Sequence, residues 1–178
     1  MSISATEPGL IPGRECGSCV SCCCFFTIAE LDKPAGKLCD HSCPGGGCDI
    51  YPERPRACRI FQCGWRSWDE VPEDWRPDRT GFVLGGRLTP GGFLAVTADP
   101  ALPDSWRAEP YLSRLRLWAR RADEIGSQVV VFIEKRVIVL RPGGEEDLGV
   151  IAPDEVLLRD EKGLIRKIPR AQAVGGRS

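Results

Sequence analysis

Apolar and polar positions divide the chain into two halves of different kind. Beyond residue 80, apolar residues fall in the short runs that strands require. Residues 81–88 and 93–97 flank Thr89-Pro90-Gly91-Gly92, which predicts a β-hairpin. Residues 128–133 (QVVVFI) and 136–140 (RVIVL) are rich in β-branched side chains and are separated by Glu134 and Lys135, so a second hairpin is expected. Residues 148–151 suggest a short strand, and 156–159 with 164–168 flank Asp160-Glu161-Lys162-Gly163 as a third hairpin. One stretch follows the helical period instead. Over 109–125, Leu112, Leu115, Trp118, Ala119 and Ala122 recur at spacings of three and four, with Pro110 suited to the first helical position. Arg114, Arg116, Arg120 and Arg121 lie mostly off that face and read as its solvated side.

Before residue 77 the periodicity disappears. Residues 1–13 read as a loose lead-in. Pro34, Gly36, Pro44, Gly45, Gly46, Gly47, Pro52 and Pro55 then punctuate the chain, leaving room for one helical turn at 27–32. Residues 64–77 read as a connecting loop whose Trp65, Trp68 and Trp75 are either lids over the preceding segment or core packing. The fold class is therefore α+β. An irregular cysteine-rich region (14–76) joins a mostly antiparallel sheet with one main helix (77–170), and a polar tail follows at 171–178.

All ten cysteines fall between Cys16 and Cys63. The opening residues resemble no secretory signal, and no apolar run approaches a membrane span, so a cytoplasmic protein is expected. In that reducing compartment clustered thiols are metal ligands more readily than disulfides. Cys16, Cys19, Cys22 and Cys23 form C-x2-C-x2-C-C, in which two-residue spacers let a turn aim both sulfurs at one ion. The same spacing opens ferredoxin-type iron–sulfur runs, so it points to metal more strongly than to one metal. Cys39, Cys43 and Cys48 follow on a Pro/Gly loop, then Cys58 and Cys63 in IYPERPRACRIFQC. A bound metal would supply the order that the backbone of this region lacks.

The opening cysteines together with Cys48, Ile50, Tyr51, Arg54, Pro55, Cys58, Arg59, Phe61 and Cys63 resemble the bacterial CxxCxxCC (YkgJ-type) cysteine-cluster family of zinc- or iron-chelating domains. The resemblance covers residues 16–63, with Cys39 and Cys43 in its variable middle, and Cys24 is an addition to the pattern. It implies a metal ligand set of Cys16, Cys19, Cys22, Cys23, Cys39, Cys43, Cys48, Cys58 and Cys63. Nine thiols exceed one site. They allow two four-coordinate sites with one spare, or a multinuclear cluster with bridging thiolates. His41 is either a nitrogen ligand or a hydrogen-bonding neighbour. Arg14, Arg54, Arg56 and Arg59 lie beside ligands and are candidates to donate to sulfur. Phe25, Phe26, Ile60, Phe61 and Trp65 would shield the site from water, which leans the cofactor toward iron–sulfur over zinc.

Net charge of −1 and a sequence pI of 5.9 argue against a nucleic-acid module. The glycines of GFVLGGRLTPGG lack the order of a phosphate loop, and no dinucleotide fingerprint or second histidine accompanies them. The expected function is metal binding in a structural or redox role, without catalysis of its own, the second half serving as scaffold or protein-binding surface. The alternatives are an enzyme or accessory subunit using the cluster in electron or methyl transfer, and a zinc or iron storage or delivery protein.

Overall fold

A β-branched run buried on both sides belongs in the middle of a sheet, and Val129, Val130 and Val131 are fully buried. The computed structural model describes residues 9–160 and 163–173, so most of the expected lead-in and tail, and part of the Asp160–Gly163 turn, lie outside the described residues. In chain order the elements are α1 (Ser21–Phe25), α2 (Arg56–Ile60), α3 (Gly64–Ser67), α4 (Pro77–Thr80), β1 (Phe82–Gly86), β2 (Phe93–Ala98), α5 (Tyr111–Glu124), β3 (Gln128–Ile133), β4 (Arg136–Arg141), β5 (Gly144–Val150), β6 (Glu155–Arg159), β7 (Ile165–Pro169) and α6 (Arg170–Ala173). Strands β1 to β5 form one sheet in sequential order, and β6 pairs with β7 apart from it.

The architecture is α+β, with a mostly antiparallel sheet and one main helix. Its one parallel pair, β2 with β3, is bridged by α5. A parallel neighbour requires a crossover of that length. The helix starts at Tyr111, with Pro110 in the capping position rather than inside the first turn. The strand expected at 148–151 begins earlier, at Gly144. Its polar start conceals it from a hydrophobicity pattern, and pairing with β4 decides it. Arg141 bonds Glu146 and Arg136 bonds Asp147 across the two strands, and Arg107 reaches Glu145 from outside the sheet. The helical turn expected at 27–32 is a short 3-10 turn, Ala29–Leu31. Residues 64–77 are not an open loop but contain α3 and a 3-10 turn, Glu73–Trp75, before α4 begins at Pro77. Among the described residues no helix is long and apolar enough to cross a membrane.

Two faces of the sheet are covered by different partners. On one, Leu115, Trp118, Ala119 and Ala122 of α5 pack against Leu94, Val96, Val129, Val131, Ile138 and Leu140. Trp65, Val71, Trp75 and Trp106 extend that core, so the tryptophans of 64–77 are core residues. Trp75 stands edge-on to Tyr111, Trp118 and Phe82, with ring centroids 5.0, 5.8 and 5.9 Å away. On the other face Val130 and Val137 meet Ile165 of β7. The cysteine-rich half wraps the edge strand β1. Phe61 rests on Gly85, where a Cβ would stand only 3.1 Å from the ring, and Phe61 in turn packs on Phe26 at 4.7 Å.

Trp75 thus links the segment leading from the cysteines to both sheet and helix. Replacing Trp75 with Ala should lower unfolding free energy by about 3–5 kcal/mol, measured by urea denaturation. A loss under about 1 kcal/mol, within the ordinary range of surface changes, would contradict this role.

Candidate metal centre

The cysteines reach one place through several short backbone contacts. Cys19 N–H donates to Cys16 O at 2.8 Å, closing the first C-x2-C turn. Helix α1 then carries Cys22, Cys23 and Cys24, and Cys39 N–H donates to Cys23 O at 3.1 Å, laying the second segment beside the first. The loop between Cys43 and Cys48 crosses the opening turn so closely that a Cβ on Gly46, whose φ is +97°, would lie 2.2 Å from Ser18 Cα. Only glycine meets both demands. Cys58 sits on α2, and Cys63 caps the start of α3 while packing against the main core. Arg76 ties the arrangement to the second half through Nη2, which donates to Cys16 O at 3.0 Å and Ser18 Oγ at 2.8 Å.

These contacts enclose a cavity of about 530 Å³ lined by eight thiols: Cys16, Cys19, Cys22, Cys23, Cys39, Cys48, Cys58 and Cys63. Arg54, Arg59, Arg66 and His41 also line it, with apolar wall from Phe26, Ile28 and Phe61, and no carboxylate does. Of the nine expected ligands only Cys43 is not in this wall; Cys24, outside the expected set, is not in it either, and its Sγ faces Gly36 O at 3.7 Å. All ten cysteines are free thiols. His41 Nδ1 lies 3.1 Å from Asp49 Oδ1, in the position of a hydrogen-bonding neighbour. Among the described residues no three His, Cys, Asp or Glu side chains form a group able to hold a single ion. The donor set is nonetheless chemically uniform. Thiolates without oxygen donors suit soft or borderline metals such as zinc, copper(I) and iron–sulfur clusters.

The thiols differ in how readily they ionise. The Cys22 thiol donates to the Cys23 sulfur, which with the Ser42 hydroxyl, Lys33 and Arg54 brings Cys23 down to about 6 against the opposing effect of burial. The same bond, with burial and the fields of Cys23, Cys16 and Cys63, pushes Cys22 far up. Burial raises Cys63 to about 11, although the amides of Trp65 and Arg66 favour its charged form. Cys16 is raised by burial against the opposing field of Arg66, and Cys48 and Cys58 are raised mainly by burial too. The fields overlap at Cys23. Cys63 senses Cys19 and Cys16, Cys22 senses Cys23 ahead of Cys16 and Cys63, and Cys16 senses both Cys19 and Cys23. Cys58 senses Cys23, Cys39 and Cys48, and Cys48 senses Cys23 and Cys39.

The four arginines expected beside the sulfurs take different places in the structure. Arg14 Nη1 donates to the carbonyls of Trp65 at 2.7 Å and Trp68 at 3.2 Å, anchoring the start of the cysteine segment. Arg56 is exposed, and Arg59 is an exposed residue at the cavity's edge. Arg54 stacks on Tyr51 at 3.9 Å while lining the cavity. Lys33, Ser42, Arg66 and Arg76 complete the surroundings and were not singled out by sequence pattern. Arg66 follows the last cysteine by three residues, a spacing that marks a candidate. Lys33 and Ser42 carry no comparable signal.

Because the thiolate is the reactive form, Cys23 of the metal-free protein should alkylate first with iodoacetamide at pH 7. Its reactivity should fall away below about pH 6, while Cys63 should react only as the pH approaches about 11. Site-resolved mass spectrometry across pH checks the order, and Cys63 reacting before Cys23 at pH 7 would contradict it. Comparison with protein-family models, curated proteins and solved structures returned no match to this chain.

Proposed function

We propose that this chain is a cysteine-cluster metalloprotein whose eight cavity thiols hold two four-thiolate iron–sulfur centres, in a structural or redox role and without catalysis of its own. The carrying observation is the cavity itself. Eight thiols, cationic and apolar wall and no carboxylate surround about 530 Å³. Apolar lining excludes water and tunes a redox centre. The likeness of residues 16–63 to the CxxCxxCC family supports the same class of function.

The proposed division assigns Cys16, Cys19, Cys22 and Cys63 to one centre, and Cys23, Cys39, Cys48 and Cys58 to the other. Cys22 and Cys23 are neighbours on α1, and the division sends one to each centre. Cys48 and Cys58 both sense Cys23 and Cys39, and Cys63 senses Cys19 and Cys16, while Cys23 also acts across the division on Cys16 and Cys22. When bound, such clusters would supply one-electron chemistry. The chain's own residues supply thiolates, counter-charge and exclusion of water. Cys43 and Cys24 remain outside both sets.

Protein purified without oxygen should be brown and carry about four to eight irons, two or four per centre, with as many acid-labile sulfides. Cys19→Ser and Cys58→Ser should each lose about half the metal and lower thermal stability, while Cys24→Ser and Cys43→Ser should keep nearly all of it. Loss of all metal in either of the first two variants would replace two centres by one shared cluster. A colourless protein containing zinc would overturn the iron–sulfur assignment, and protein without metal would overturn the function.

A further inference from the structure

Among the described residues Lys33 is the one charged residue that is buried, at 5 % exposure. The antiparallel bridge between Ile28 and Lys33 fixes its backbone. Its Nζ donates to Cys24 O at 2.8 Å and Phe26 O at 2.5 Å, carbonyls where α1 ends, the first of which also accepts from Gly36 N–H at 3.0 Å. No carboxylate among the described residues pairs with it. Burial disfavours its charged form and lowers its pKa, and the ionisable groups that oppose this are the thiols of Cys24, Cys39, Cys23 and Cys22.

Two neutral carbonyls satisfy hydrogen bonds of an ammonium but do not neutralise its charge, and an uncompensated buried charge is costly. Once metal is bound, the ligand thiolates of Cys22, Cys23 and Cys39 would provide the missing negative charge. We propose that Lys33 is the built-in counter-ion of the thiolate centre, an assignment that rests on the metal-binding reading above. Lys33 touches no proposed ligand sulfur and is a positioning residue. It grips the end of the helix that carries Cys22 and Cys23, and it sets the local field. An iron–sulfur cluster gains negative charge on reduction, so a fixed cation beside it favours the reduced form and raises its potential. Arg54 and Arg66 line the cavity and add further cations to its surroundings.

The test compares Lys33→Gln and Lys33→Arg with wild type in the full chain, purified without oxygen. Glutamine keeps N–H donors for the two carbonyls and removes the charge, whereas arginine keeps the charge. Spectroelectrochemical titration should show a lower midpoint potential in Lys33→Gln. Iron release to ferrozine should be about 10-fold faster or more, and Lys33→Arg should recover both values in large part. Lys33→Gln with the wild-type potential and release rate would reduce Lys33 to a carbonyl cap and overturn the proposal. If Lys33→Gln does not fold, failure of Lys33→Arg to hold metal would overturn it, and metal retained at near wild-type potential would uphold it. Should wild type hold zinc, the iron–sulfur assignment falls separately. Zinc release to 4-(2-pyridylazo)resorcinol then decides Lys33 by the same comparison. Wild-type protein holding no metal would overturn both readings.

Discussion

Eight thiols around one cavity repel one another as soon as they ionise, and the cavity wall offers no carboxylate to add to that charge. The cysteine half is arranged around this constraint. Arg54, Arg59 and Arg66 line the wall, Lys33 lies behind α1, and the Cys22 thiol shares its proton with Cys23. In the absence of metal, burial keeps most of these thiols protonated. A cation entering the cavity would exchange protons for coordination, and on the proposed function metal binding would be coupled to the ordering of this half.

The sheet supplies rigidity that the cysteine half lacks. Helices α1, α2 and α3 are only four or five residues each, too short to be stable alone. They are held by side chains that belong to the other half's core. Trp65 is buried in the α5–sheet core two residues after Cys63, and its Nε1 donates to Glu73 O at 2.7 Å. Phe61 sits on β1 between Cys58 and Cys63. Arg76 and Arg87 add donor contacts to Cys16 O and Ser67 O. The last cysteines are thus fixed by hydrophobic packing, and the first ones by hydrogen bonds to the backbone.

Much of the second half was legible because its signals are local. The runs QVVVFI and RVIVLR carry β-branched residues on both faces, and the two-residue Glu134-Lys135 connection leaves only a hairpin between them. The α5 face was equally clear, since Leu115, Trp118, Ala119 and Ala122 are all buried as the period requires. The start of β5 was not legible. GEED has no apolar alternation, and only pairing with β4 and three arginines makes it a strand. The parallel pairing of β2 with β3 was hidden for a similar reason, because strand order depends on which edges meet after α5 packs.

Sequence alone determined the soft-donor character of the site, because ten cysteines between residues 16 and 63, with their two-residue spacings, already restrict the chemistry. It also determined the strand-rich half and its single long helix, since burial there follows from local periodicity. Tertiary structure decided which cysteines face one another, leaving Cys24 and Cys43 outside the wall that the other eight share. It alone placed Lys33 and Ser42 beside Cys23. The physical reason is that periodicity reports burial along one element. A charge balance is set by groups that distant segments bring within reach of one another.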